Sequence, residues 1–175
     1  MKTFKTILTA VLFLTVSNGL MAQASSDEIS ATATVLASAE VNGVSDLEFG
    51  DVSIGTPETI LPAELGSGQF TLRTNAAASI TFEFPESLTV MVGGQTRNLP
   101  ISFDGDYVKI DGKDNAGDNA SVTYNPVNNE TYSLSGGDFD HANEFAIYLG
   151  GIVTPDANQA AGVYSGTVTL SVEFN

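Results

Sequence analysis

Gly162-Val-Tyr-Ser-Gly-Thr-Val-Thr-Leu-Ser-Val-Glu-Phe-Asn175 is the stretch whose reading decides the fold. Tyr164, Val168, Leu170, Val172 and Phe174 share one parity, while Thr167, Thr169, Ser171 and Glu173 take the other. Strict alternation of this kind describes a strand with one face on a core and one in water, because successive Cβ atoms point to opposite faces. A helix would need its apolar residues three and four apart, and no mature segment of the chain sustains that spacing.

The same period-two pattern recurs upstream between turns rich in Gly, Asn, Asp and Pro. Ile29, Ala31, Ala33, Val35, Ala37, Ala39 and Val41 share a parity, with Ser and Thr on most of the other. Leu47 to Ile54 forms a short strand-like piece. Phe70 and Leu72 alternate with Thr71 and Arg73, and Ile80, Phe82 and Phe84 alternate with Thr81 and Glu83. Leu88 to Val92 runs into Gly93-Gly94, a two-residue hairpin signal, and Gln95 to Phe103 returns. Tyr107 to Ile110 is expected to end at a turn on Asp111-Gly112. Residues 121–134 read as two short polar strands around Asn125-Pro126, and Phe145, Ile147 and Leu149 make one apolar face before Gly150-Gly151. Short strands without helical crossovers predict an all-β antiparallel sandwich. It is expected as a single domain over residues 25–175.

The N-terminus sets the compartment. Lys2 and Lys5 precede an apolar run, Ile7 to Val16, too short to span a bilayer, which takes roughly 20 residues. Ser17-Asn18-Gly19 and then Ala22-Gln23-Ala24 complete a secretory signal over residues 1–24, cut after Ala24 or Ala22. The expected location is the periplasm or the cell surface, with no transmembrane segment in the mature chain. There is no Cys, so disulfides, thiolate metal sites, a lipoprotein anchor and cysteine nucleophiles are all excluded. A domain of this length is large enough to hold together by its core alone.

Past residue 24 the chain keeps four basic residues (Arg73, Arg97, Lys109, Lys113) against 21 acidic ones, a net charge of −17. Nucleic acids and anionic membranes repel such a surface. Asp104, Asp106, Asp111, Asp114 and Asp118 form an acidic, Gly- and Asn-rich stretch whose oxygens suit calcium. Their spacing does not follow the EF-hand pattern, and a solvated loop accounts for it as well. No other cofactor is expected. His141, in Asp138-Phe-Asp-His-Ala-Asn-Glu144, is the one His, and the nucleophile elbow G-x-S-x-G does not occur. The residues offer no positive sign of an enzyme.

The closing stretch resembles the C-terminal signature of chaperone–usher fimbrial (pilin) subunits, with Gly162 fourteenth from the end and the aromatic Phe174 penultimate. It is still more similar to a related bacterial family of secreted domains of unknown function. Three pieces carry that resemblance: Leu47-Glu-Phe-Gly50, Gly150-Gly151 and Ala161-Gly-Val-Tyr-Ser-Gly166. In fimbrial subunits it implies an all-β, immunoglobulin-like Greek-key antiparallel sandwich lacking one strand, completed first by a periplasmic chaperone and then by the N-terminal extension of the next subunit. Carried over by position, the donor residues are Ile29, Ala31, Ala33, Val35 and Ala37. The C-terminal edge strand is Gly162, Tyr164, Val168, Leu170, Val172 and Phe174. The partners so implied are the chain itself or related subunits, and a chaperone. Two readings stand open: a fimbria-like structural or adhesive surface subunit assembling by strand addition, and a self-contained monomeric module. In the second, Ile29–Val41 is the domain's own first strand, and the 104–119 and 135–144 loops touch a glycan or protein ligand.

Overall fold

A computed structural model describes residues 32–114, 116–134 and 144–174. Val35–Asn175 forms one compact unit; of the residues before it only 32–34 are described, and they are exposed without regular structure. Among the described residues all regular structure is strand, in twelve pieces paired antiparallel throughout.

In chain order these are β1 (Ala39–Ser45), β2 (Glu58–Ile60), β3 (Gly68–Thr74), β4 (Ala78–Glu83), β5 (Ser87–Val92) and β6 (Gln95–Ser102). They continue with β7 (Val108–Lys113), β8 (Asn119–Tyr124), β9 (Thr131–Ser133), β10 (Glu144–Leu149), β11 (Gly151–Val153) and β12 (Thr169–Phe174). A five-stranded sheet has the order β1-β3-β10-β7-β8, a four-stranded sheet β2-β11-β6-β5, and a three-stranded sheet β12-β4-β9. The sheets are joined by strands that pass from one to the next. β10 ends in the first and β11 begins in the second with Gly150 alone between them. β4 lies in the third and β5 in the second, separated by Phe84-Pro85-Glu86. A Cβ on Gly150 would sit 2.3 Å from the Ile60 carbonyl oxygen, so this crossing needs glycine for its close backbone approach.

Alternation becomes burial in the way the sequence implies. Phe145, Ile147 and Leu149 of β10 are buried and face Leu72, Phe70 and Gly68 of β3. On the other side Ile147 and Leu149 pair with Ile110 and Val108 of β7. With Ile80, Phe103, Tyr124, Leu134 and Leu170 they make one core. Each such side chain contributes about 1.5–3 kcal/mol of burial, and this is what a chain without disulfides depends on. Phe70 meets Phe82 edge-to-face, and Phe82, Phe84 and Phe103 stack in series, with centroids 6.2, 5.6 and 4.1 Å apart along the row.

Three expectations need correction. Asp111-Gly112 is not a turn: β7 runs on to Lys113, with Asp111 paired to Ser121 and Gly112 to Ala120. The reversal comes later, where the Asp114 carboxylate accepts from the amides of Ala116 and Asp118. Leu47–Ile54 is not a regular strand, because Gly50 and Gly55 take positive φ and no second strand lies beside it among the described residues. The closing strand becomes regular only at Thr169; before it, Ser165 makes a single antiparallel bridge with Thr89.

Candidate functional site

Among the described residues, a trough runs between two stretches of backbone that lie mostly outside strands. One wall is the end of β1 with residues 46–54, and the other is residues 159–168 leading into β12. Two adjoining clefts, about 770 and about 660 Å³, share Leu47, Glu48, Phe49, Leu88, Val163 and Tyr164, so the trough is continuous. Buried Phe103, Leu149, Leu99 and Val153 line it from below, and half-buried Leu47, Phe49 and Val168 line its sides. Val163, 88% exposed, stands on the rim.

The walls are fixed from behind. The Glu48 amide donates to the Gly66 carbonyl at 2.8 Å. Ser165 exchanges two backbone hydrogen bonds with Thr89, at 2.8 and 3.0 Å. The Tyr164 hydroxyl donates to the Ala160 carbonyl at 2.7 Å and accepts from Gln159 Nε2, which also donates to the Asn98 carbonyl. Gly166 lets this wall lie flat on β5, since a Cβ there would meet Leu88 Cδ2 at 2.8 Å.

Both walls continue into terminal strands. Among the described residues β1 pairs only with β3 and β12 only with β4, each at the end of its sheet. An unpaired row of N–H and C=O groups beside an apolar floor is a template for another strand. The charged residues lining the two clefts are Asp46, Glu48 and Asp51, all acidic.

Of the C-terminal residues named from sequence, three stand on this wall and three on β12 beyond it. Gly162 and Tyr164 line the trough, Val168 packs against the core from it, Leu170 is buried, Val172 is half-buried and Phe174 is 45% exposed. Of the donor residues, Ala33, Val35 and Ala37 are exposed outside any strand, while Ile29 and Ala31 lie outside the described residues. The last part of that segment, Ala39–Val41, belongs to β1 and pairs with β3 inside the chain.

The aspartates are dispersed. Asp104 accepts from Asn125 Nδ2; Asp111 takes Lys109 Nζ at 2.8 Å and the Ser121 hydroxyl; Asp114 holds its own turn. Asp106 and Asp118 are exposed, and no group of three or more candidate metal ligands comes together among the described residues. His141 and most of the 135–144 loop lie outside the described residues. Elsewhere, Tyr124 stacks on Tyr132 at 4.7 Å, and burial, then the neighbouring phenol, pushes its ionisation well above the usual tyrosine range.

With this geometry in view, a comparison with known protein families matches residues 31–174 to DUF4402, described as a domain of unknown function. The chain belongs to the DUF4402 family. Comparisons with curated proteins and with solved structures return no match. Two of the sequence pieces singled out above, Leu47-Glu-Phe-Gly50 and Ala161–Gly166, stand on opposite walls of this domain's trough. The third, Gly150-Gly151, is the crossing beside its floor. Sequence reasoning did not place Leu47 and Phe49 on the site, nor Phe70, Leu88 and Phe103 beneath it. The signal for the first pair was their common parity; the others read simply as core.

Proposed function

We propose that this DUF4402 domain is an exported structural or adhesive surface subunit that assembles by β-strand addition. In finer architecture we read it as an immunoglobulin-like Greek-key sandwich with one seam left open. One observation carries this: two lengths of backbone that run into the terminal strands β1 and β12 face each other across a trough floored by Phe103, Leu149, Leu99 and Val153. A strand laid there gains backbone hydrogen bonds from the walls, and its alternate side chains enter the floor and fix the register. Left empty, the same seam invites aggregation, which is why a periplasmic chaperone belongs to the reading.

A second reading keeps support from β1. Part of the segment assigned as donor already pairs within the chain, so the domain folds as a monomer and the trough takes an extended peptide or a glycan. The test is the oligomeric state of purified residues 25–175 beside a form starting at Leu36, which keeps β1 whole. Detergent-resistant polymers that vanish in the shorter form support strand addition. A cooperative monomer in both forms leaves the binding module.

A further inference from the structure

The outer face of the five-stranded sheet gathers most of the positive charge of this acidic chain. The inner face of that sheet carries Leu72, Phe145, Ile147, Val108 and Ile110 into the core, so the residues alternating with them point outward. Three of the four basic residues past residue 24 stand there, Arg73 on β3 and Lys109 and Lys113 on β7. Of the 21 acidic residues, the same face takes Glu40, Asp111 and Glu144. The face is therefore neutral, on a chain whose net charge past residue 24 is −17. A large net charge keeps copies of a protein apart, and a neutral face is where that repulsion is weakest.

The charges also alternate across the strands. Glu40 pairs with Arg73, and Arg73 with Glu144. On the far side of β10, Ala146 is level with Asp111, so the same register carried two residues on sets Lys113 level with Glu144. Across β1, β3, β10 and β7 this row reads minus, plus, minus, plus. The next row holds Asn42, Thr71, Ala146 and Asp111, with its shortest side chains in the middle, and the row after it holds Gln69, Tyr148 and Lys109. All of these residues are exposed or half-exposed.

Such a row is complementary to itself. Two copies of the sheet pack face to face about a two-fold axis parallel to the strands. An axis along any of the four strands sets a charged residue on its own image. An axis between β10 and β7 sets Glu144 over Lys113 but leaves Arg73 over Asn119. An axis between β3 and β10 satisfies the whole row, with Arg73 over Glu144 and Glu40 over Lys113. Thr71 and Ala146 then meet at the centre, where their small size lets the sheets approach, and Tyr148 lies over Gln69. Within one chain Arg73 Nε already holds Glu144 Oε2 at 2.8 Å. A guanidinium has several N–H donors, so it can hold a carboxylate of each copy. We infer that the outer face of β1, β3, β10 and β7 docks on the same face of a second copy, through Arg73 with Glu144 and Glu40 with Lys113. Four strands about 4.8 Å apart and about 20 Å long cover roughly 400 Å² per copy, half of a standard interface. The dimer is accordingly weak and suits copies held at high local concentration. It does not depend on what fills the seam.

Glu40 and Lys113 lie three strand spacings apart in one copy, roughly 14 Å, so they meet only between copies. Within its own chain Lys113 Nζ donates to Asn119 Oδ1 at 2.6 Å. The test is therefore made in trans, by sedimentation equilibrium of residues 25–175. Strand-added polymers resist detergent and are removed first by gel filtration, so the two kinds of association are read apart. A concentration-dependent dimer is expected as the protein approaches about 1 mM. Glu40→Lys and Lys113→Glu should each weaken it about tenfold, since each turns two exposed ion pairs into like-charge contacts. An equimolar mixture of the two variants should restore it, because the opposed residues again differ in sign. Damage to the fold offers no route to that rescue, and unchanged urea midpoints would show that both variants are intact. A monomer throughout overturns the inference and leaves the face to another ligand, such as an anionic glycan. A dimer that neither variant weakens, or that the mixture does not restore, overturns it as well.

Discussion

Gly150→Ala tests the crossing on which the seam depends. A methyl group there meets the Ile60 carbonyl oxygen at 2.3 Å, Pro62 N at 3.0 Å and the Leu61 carbonyl carbon at 3.1 Å, all backbone atoms. No side-chain rotation relieves such contacts, so either residues 60–62 or the β10–β11 junction must move. Movement of the junction stretches the bond from the Gly150 amide to the Tyr107 carbonyl, 2.8 Å long, and loosens the three-pair β2–β11 ladder. Overpacking of this kind costs about 1–3 kcal/mol, and a strained backbone hydrogen bond adds roughly 1 kcal/mol. Against a total of about 5–15 kcal/mol, the variant should still fold. With a urea m-value of about 2 kcal/mol/M, the midpoint should fall by about 1–2 M. The assay is a urea titration of residues 25–175 followed by far-ultraviolet circular dichroism. Gly43→Ala is the control, since a Cβ there meets nothing within 4 Å. If the two variants unfold within about 0.2 M of each other, the close approach at Gly150 is wrong and so is this account of how the sheets join.

Other outcomes follow from single contacts. Tyr124 holds its proton more tightly when folded, so its contribution is complete below the unfolded value of about 10 and is lost as pH rises above it. Absorbance at 295 nm should show one tyrosine titrating only with alkaline unfolding, and Tyr124→Phe should flatten that loss. Tyr164→Phe removes the bonds to Ala160 and Gln159 and should cost about 1–2 kcal/mol in urea unfolding. A cost near zero would mean that the hydroxyl does not hold this wall. Millimolar calcium should leave the melting temperature unchanged, because Asp104, Asp111 and Asp114 already accept from protein donors; a rise of several degrees would show a site that this geometry does not contain.

The sequence by itself determined the secondary structure class and one hairpin. Parity along Phe70–Leu72, Phe145–Leu149 and Leu170–Val172 is local chemistry, and a strand with one apolar face has few ways to bury it. The Gly93-Gly94 hairpin was legible for the same reason, since its two partners are adjacent in sequence. The turn at Asp111-Gly112 misled because a good turn dipeptide yields when its neighbours gain a full ladder with β8. Other features needed the tertiary structure. That Leu47 and Phe49 face Val163 and Tyr164 across a trough depends on pieces more than 110 positions apart in the chain. Whether an alternating strand is paired on one edge or two leaves no mark in its own residues, because hydrogen bonding uses the backbone, which every residue shares. Asn75 is of the same kind: an asparagine in a turn is ordinary, and only the hydrogen bonds of its side chain with the Ser38 amide and the Leu36 carbonyl extend the edge of a sheet.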